Sequence, residues 1–351
     1  MAHGSGTVKK RPGARAGVKE AMKTSVFRGA AARAGKALAG LLGAASLVFA
    51  PAGSAAKPLP AQAPPGAAAA PAPAARPAPR PALWLLSDGD TRIYLLGTTH
   101  VLPPNFQWRS EAVNRAIAEA DELVMETPDG PGDDQAQDEA LFRTMLLPKP
   151  VPILSRVSEE RREPLRRMIA AGPVPAEMYD MMETWAAAML LGFAPILEAW
   201  GRESKGASPR GVEDDLTAEF RRLGRPISGV ETGAQQLSFL RSVSQETQRL
   251  LLESAIDSSI AGEDEVAAAE ASDAAWVSGD LDPIARDMRS MPPELYDVLV
   301  TRRNRAWTEW LVRRLQRPGT VLFAVGAGHL AGPDSVQAML GARGLRVTRI
   351  N

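Results

Sequence analysis

The chain has 351 residues, no cysteine and three histidines, and its 41 basic and 41 acidic residues cancel formally. Twelve of the basic residues and one acidic residue (Glu20) precede position 83, which leaves 29 basic against 40 acidic residues beyond it, a net of −11. That balance argues against nucleic acid or an anionic lipid surface as partner, and the missing cysteines exclude disulfides, cysteine nucleophiles and thiolate metal sites.

The first 36 residues are basic and rich in small side chains, and "ALAGLLGAASLVFAPA" (37 to 52) follows as an apolar run short and soft for a membrane span. Gly53-Ser54-Ala55-Ala56 then offers the small residues a signal peptidase requires, so residues 1–56 read as a signal peptide. Met22 opens the more compact basic region and is the expected start. The expected location is periplasmic or extracellular, with a membrane tether only if the apolar segment stays uncleaved. Residues 57–82 are Pro/Ala low complexity and read as a disordered linker. Residues 83–351 have the size of one large domain.

Within that domain, "LWLLSDGDTRIYLLG" predicts a hairpin around Asp88-Gly89. Ser110 caps a predicted helix, "EAVNRAIAEA", and "ELVMET" (122 to 127) is the next strand. Strand, helix and strand within ~35 residues suggest one parallel crossover unit. The middle of the chain is helical and rich in Met, Leu and Ala, its Met/Trp stripe being core. "VEDDLTAEFRRLG" is a helix stopped by Gly224, "RPISGVET" a strand ending at Glu231, and a long helical stretch runs from Gln235 to about Ile256. "PPELYDVLVTRRNRAWTEWLVRRLQRPG" is a helix whose apolar face includes Leu295, Val298, Trp307 and Leu311. "TVLFAVG" is a strand, Pro333 to Leu340 a helix and "LRVTRIN" a closing strand. The expected class is α/β: a mixed, largely parallel central sheet flanked by helices, with a helical insertion in the middle.

Two stretches carry chemistry. "YLLGTTHVLPP" and "FAVGAGHLAGP" share one pattern, an apolar run, Gly, two residues and His, and together they hold both histidines of the domain, His100 and His329. Glu126 and Glu231 also fall at predicted strand ends. In a parallel sheet the carboxyl ends of strands line the ligand crevice, so these four side chains should converge on one edge. Gly97 and Gly326 would permit a tight turn there. Two imidazoles and a carboxylate are a common divalent-metal donor set. Two other readings stay open: a metal-stabilised binding protein of the cell envelope without turnover, and nucleotide binding through "GAGHLAG", near the dinucleotide fingerprint. The second lacks the acidic residue that the fingerprint wants at the end of the next strand. No G-x-S-x-G, Walker loop or H-E-x-x-H occurs.

"IYLLGTTHVLPP", "LVMETP", "RPISGVETGAQQL", "TRRNRAW" and "VLFAVGAGHLAGPDSV" occur in the order seen in the TraB/PrgY/GumN family, which includes the Tiki proteins, and the resemblance spans roughly residues 83 to 351. It implies a Tiki-type peptidase fold with His100, Glu126 and His329 holding a divalent metal, Mn²⁺ or Co²⁺ favoured and Zn²⁺ the third choice. It implies a peptide or protein as substrate. Glu231, Arg303 and Asn304 match further motif positions and are the candidate catalytic residues. Arg303 cannot be a ligand, so it is expected to pair a carboxylate such as Glu231 or to hold a substrate carboxylate or developing oxyanion. Glu213 in "GVEDDL" stands where the family often has Asp.

Overall fold

A computed structural model describes residues 78–103, 105–128, 140, 142–192, 210–261 and 263–351. The signal segment and nearly all of the linker read from the sequence lie outside these residues. The apolar runs around Asp88-Gly89 form an antiparallel hairpin of β1 (Leu83–Ser87) and β2 (Thr91–Thr98), with Leu83 opposite Leu96 and Ser87 opposite Arg92. Asp88 closes the turn by accepting the Thr91 N–H at 2.9 Å. The Ser110 hydroxyl accepts the Val113 N–H at 3.2 Å and starts α1 (Glu111–Glu119), which buries Val113, Ala116 and Ile117.

After β3 (Glu122–Met125) come α2 (Arg162–Ala171), α3 (Ala176–Met181) and a helical stretch at 184–192. Then α4 (Val212–Arg222) ends at Gly224, whose φ of 66° suits glycine, and leads to β4 (Ile227–Gly229). The helices α5 (Gly233–Ser242), α6 (Gln245–Ala261), α7 (Glu263–Ser278), α8 (Asp282–Ser290) and α9 (Pro293–Tyr296) follow. A π-helical turn, Asp297–Thr301, joins α9 to α10 (Arg302–Arg314). The chain finishes with β5 (Gly319–Gly326), α11 (Val336–Gly341) and β6 (Val347–Arg349).

The sheet has the order β4-β3-β5-β2-β1-β6; β4, β3, β5 and β2 run parallel, and β1 and β6 add antiparallel pairs. The α/β class with a mixed, largely parallel sheet is therefore as expected. The crossover from β2 through α1 to β3 is not between neighbours, because β5 lies between them. Two apolar cores result. One surrounds the sheet and includes Leu95, Val124, Phe323, Val212 and Trp307. The other is helical and includes Trp185, Met189, Leu240, Leu252 and Val298. The Met/Trp stripe of the middle segment is buried within it, as are Met178 and Met182.

Several boundaries differ from expectation. The helical stretch read from Gln235 to Ile256 is two helices, parted at Val243, which is extended (ψ 153°) and buried, before the Ser244 hydroxyl caps the Thr247 N–H at 3.2 Å. The segment "PAEMYDMMETWAAAMLLG" likewise breaks at Met182, which bridges to Leu146. Strand β3 stops one residue before Glu126 and β4 two before Glu231. Both glutamates thus sit in the loops that leave the strands.

Candidate functional site

Because β5 sits between β2 and β3, the two G-x-x-H segments leave adjacent strands and Glu126 leaves the strand on the other side of β5. Gly326 pairs with Thr98, and Val325 with Gly97, so the two copies of the motif are one residue out of step. That offset separates the roles of the glycines. A Cβ on Gly326 would stand 3.2 Å from Glu126 Oε1, 3.5 Å from His100 Nε2 and 3.8 Å from His329 Cδ2. A Cβ on Gly97 would instead meet Ala327 Cα at 3.2 Å, behind the site. Neither glycine has positive φ. The tight-turn role expected for them is therefore replaced by close approach: one keeps the site open, the other lets the following turn pack.

The local structures of the copies also diverge. His329 lies in a 3₁₀ turn, Ala327–Leu330, and is 3% exposed. That turn stands where a dinucleotide fingerprint would need a helix N-terminus. His100 lies in an irregular segment, held by backbone bonds from Val212 N–H to Thr99 O (3.0 Å) and from Leu102 N–H to Arg210 O (3.0 Å).

Both imidazoles are held by Nδ1. His100 Nδ1 is 2.8 Å from Glu213 Oε1, which also accepts the Thr98 hydroxyl. Asn304 donates its amide to the carbonyls of His329 and Asp334 at 3.2 and 2.7 Å. Its Oδ1 therefore faces His329 Nδ1, at 2.6 Å, and must accept from it. The Nε2 of each ring is thereby left as the atom facing the site. His100 Nε2 is buried without a hydrogen-bond partner.

Arg303, 6% exposed, is the charge at the centre. Its Nε donates to Glu231 at 3.0 Å, NH2 to Glu126 Oε2 at 2.6 Å and to Glu231 Oε2 at 2.8 Å, and NH1 to Leu299 O at 3.2 Å and to His329 Nε2 at 3.1 Å. All five N–H donors of the guanidinium are engaged. Of the two jobs expected of it, it does the pairing of Glu231, while no donor is left for a substrate oxyanion. Glu231 is saturated as well, accepting Trp307 Nε1 at 2.8 Å and Gln236 Nε2 at 3.2 Å besides Arg303. Gln236 also reaches Glu126 Oε2 at 3.2 Å, and Glu126 Oε1 takes the Gly326 N–H at 2.9 Å. Arg303 lies over the rings of Trp307 and Phe239, at 4.8 and 5.8 Å from their centroids, and Trp307 packs on His329 with centroids 4.3 Å apart.

The electrostatics follow from this cluster. Burial alone would raise the Glu126 carboxyl, yet Arg303 beside it holds it down to about 2. Burial and the same guanidinium push His329 down to about 3, so the ring is neutral, and its 3.8 Å approach to Glu126 Oε1 is no ion pair. Burial works against a charge on His100 too, but the carboxylate and hydrogen bond of Glu213 outweigh it and raise that ring above its ordinary value.

Among the described residues, no three His, Asp or Glu side chains are drawn together as a set that could hold a metal. His100, Glu126 and His329 do converge, but Arg303 NH1 occupies the lone pair of His329. The donor types, though not their present placement, are those that suit a divalent cation. Two imidazoles turn Nε2 inward with Nδ1 held by an oxygen, the usual support of metal-bound histidine, and His100 Nε2 and a lone pair of Glu126 Oε1 are spare.

A model of the TraB/PrgY/gumN family matches residues 82–349. The chain belongs to that family. No curated protein and no solved structure matches it. The match covers the whole TraB/PrgY/gumN domain seen here, from the residue before β1 to the last residue of β6. Sequence reasoning missed two members of this site, Gln236 and Trp307, and left Glu213 as a mere departure from pattern. Gln236 had a readable signal: it lies one turn after the Glu231-Thr232 strand exit, on a helix started by Thr232.

Proposed function

We propose that this family member is an exported, metal-dependent hydrolase acting on peptide or protein, a peptidase of Tiki type. The observation that carries the reading is the pair of imidazoles, one buried and one partly buried, each turned by an oxygen acceptor so that Nε2 faces Glu126 across Gly326. His100, Glu126 and His329 would hold the ion, with Mn²⁺ or Co²⁺ favoured over Zn²⁺. A bound divalent cation supplies Lewis-acid polarisation of a scissile carbonyl and of water. The chain's own residues set the stage. Glu213 and Asn304 fix the rings, Arg303 holds Glu126 ionised, and Gln236 and Glu231 orient it, Gln236 by a direct hydrogen bond and Glu231 by sharing the Arg303 and Gln236 donors. Trp307 and Phe239 pack against the guanidinium and hold it in place. For export the support is the N-terminal sequence pattern; N-terminal sequencing of the exported protein should give a start near residue 57, and a start within residues 1–36 overturns that part. Among the described residues no helix is long and apolar enough to cross a membrane.

One observation favours a second reading, a metal-stabilised envelope protein without turnover: the guanidinium has no N–H left for a developing oxyanion. The two are separated by metal analysis and thermal shifts with Mn²⁺, Co²⁺ and Zn²⁺, followed by cleavage of a quenched-fluorescence peptide library with and without chelator. Metal-dependent stabilisation with chelator-sensitive cleavage is expected. Stabilisation without cleavage selects the second reading, and neither response overturns both.

A further inference from the structure

The His100 ring is held by a side chain from a distant part of the chain, and the backbone around it shows how. Gly211 lies directly on His100: a Cβ there would fall 2.4 Å from the His100 carbonyl oxygen and 2.7 Å from its Cα. The backbone bonds Val212–Thr99 and Leu102–Arg210 bracket the histidine on either side. This seats the first turn of α4 against the exit of β2. Trp108 Nε1 ties the same turn down by donating to Asp215 Oδ2 at 3.1 Å. Glu213 stands in that turn, where the helix N-terminus favours a carboxylate. Its Oε1 takes both the Thr98 hydroxyl and His100 Nδ1. Among the described residues no Lys or Arg forms an ion pair with Glu213; its partners are His100 Nδ1 and the Thr98 hydroxyl. The carboxylate is thus built to face a ring N–H, and not to balance a fixed cation.

We propose that Glu213 is the positioning residue of the site: by accepting the proton-bearing Nδ1 of His100 it fixes the tautomer whose bare Nε2 points past Gly326 at Glu126. Asn304 does the same for His329, so the two rings are set by two different acceptors, one charged and one neutral. A neutral histidine free in water prefers its proton on Nε2, the wrong nitrogen for this task. Without Glu213 the lone pair turns away from the site. The inference rests on the metal reading only for its consequence, not for its geometry.

The test is a long-range ¹H–¹⁵N correlation of the imidazole nitrogens on the metal-free full chain in alkaline buffer, where the rings are neutral. The chain holds three histidines, and His3→Ala removes the one outside the domain. His100 should carry its proton on Nδ1 in the wild type. Glu213→Ala should move it to Nε2 and weaken Mn²⁺ binding about 10- to 100-fold, the usual effect of losing such a support. Glu213→Gln, which keeps an acceptor oxygen, should restore the Nδ1 proton and most of the affinity. A wild-type ring protonated on Nε2 overturns the proposal whether or not the alanine variant folds, as does an unchanged tautomer in a folded Glu213→Ala. If the tautomer moves as described while the wild type binds no Mn²⁺, the positioning role stands and the metal reading fails.

Discussion

Arg303 NH1 stands 3.1 Å from His329 Nε2, so an internal cation holds the lone pair that a metal ion would need. Guanidinium and metal should therefore compete. Arg303→Met leaves Glu126 and Glu231 buried without a counter-charge, which should destabilise the metal-free protein by about 3–5 kcal/mol. Added Mn²⁺ should then restore more stability to this variant than it adds to the wild type. Denaturant unfolding with and without metal measures both. Equal metal stabilisation in the two proteins means that Arg303 and the ion do not share a place.

His100→Ala and His329→Ala should each abolish stabilisation by Mn²⁺ or Co²⁺, and the double variant should lose no more than either single one, because ligands to one ion act as a unit. Calorimetric titration decides this. Undiminished affinity in both would make the paired histidines structural.

The glycines make a contrasting pair. Gly326→Ala puts a methyl 3.2 Å from Glu126 Oε1 and 3.5 Å from His100 Nε2, so it should weaken metal binding with little loss of stability. Gly97→Ala pushes on the backbone of Ala327 and should cost about 1–3 kcal/mol through overpacking. Thermal unfolding and metal titration of the two variants should rank them in opposite orders.

One carboxyl outside the site predicts a pH effect. Burial, with Glu270 adding to it, raises Asp273 on α7 from 3.8 to about 7. Between those values the folded chain keeps a proton that the unfolded chain has released, so stability falls as pH rises from about 4 to 7. Asp273→Asn should remove that slope and be more stable than wild type at pH 8 by about 2 kcal/mol. Parallel unfolding curves for the two proteins across this range would show that Asp273 is solvated.

The sequence made the hairpin, the Ser110 cap, the Gly224 stop and the strand exits readable, because each rests on local chemistry. The sheet order did not follow, since placing β5 between β2 and β3 is a pairing of segments some 200 residues apart. The helix breaks at Met182 and Val243 were hidden because both residues are apolar and continue the helical pattern; tertiary packing, not propensity, extends them. At the site, residue types and strand exits gave the converging His and Glu side chains. They could not give the hydrogen-bond directions, so the saturation of Arg303 and the link from Glu213 to His100 emerge only from geometry.

The antiparallel outer strands have a practical consequence for orientation. Leu83 opens β1 opposite Leu96, at the carboxyl end of β2, and Arg349 at the close of β6 lies opposite Trp84. Asn351 reaches back to Pro81 O at 2.8 Å. The segment entering the sheet and the segment leaving it therefore meet on the rim that carries His100. Any tag, fusion or surface attached at either of them stands on the rim over which a substrate of the proposed hydrolase would approach. The exposed Asp88-Gly89 turn lies at the other end of the hairpin, and a label or support placed there would leave that approach clear.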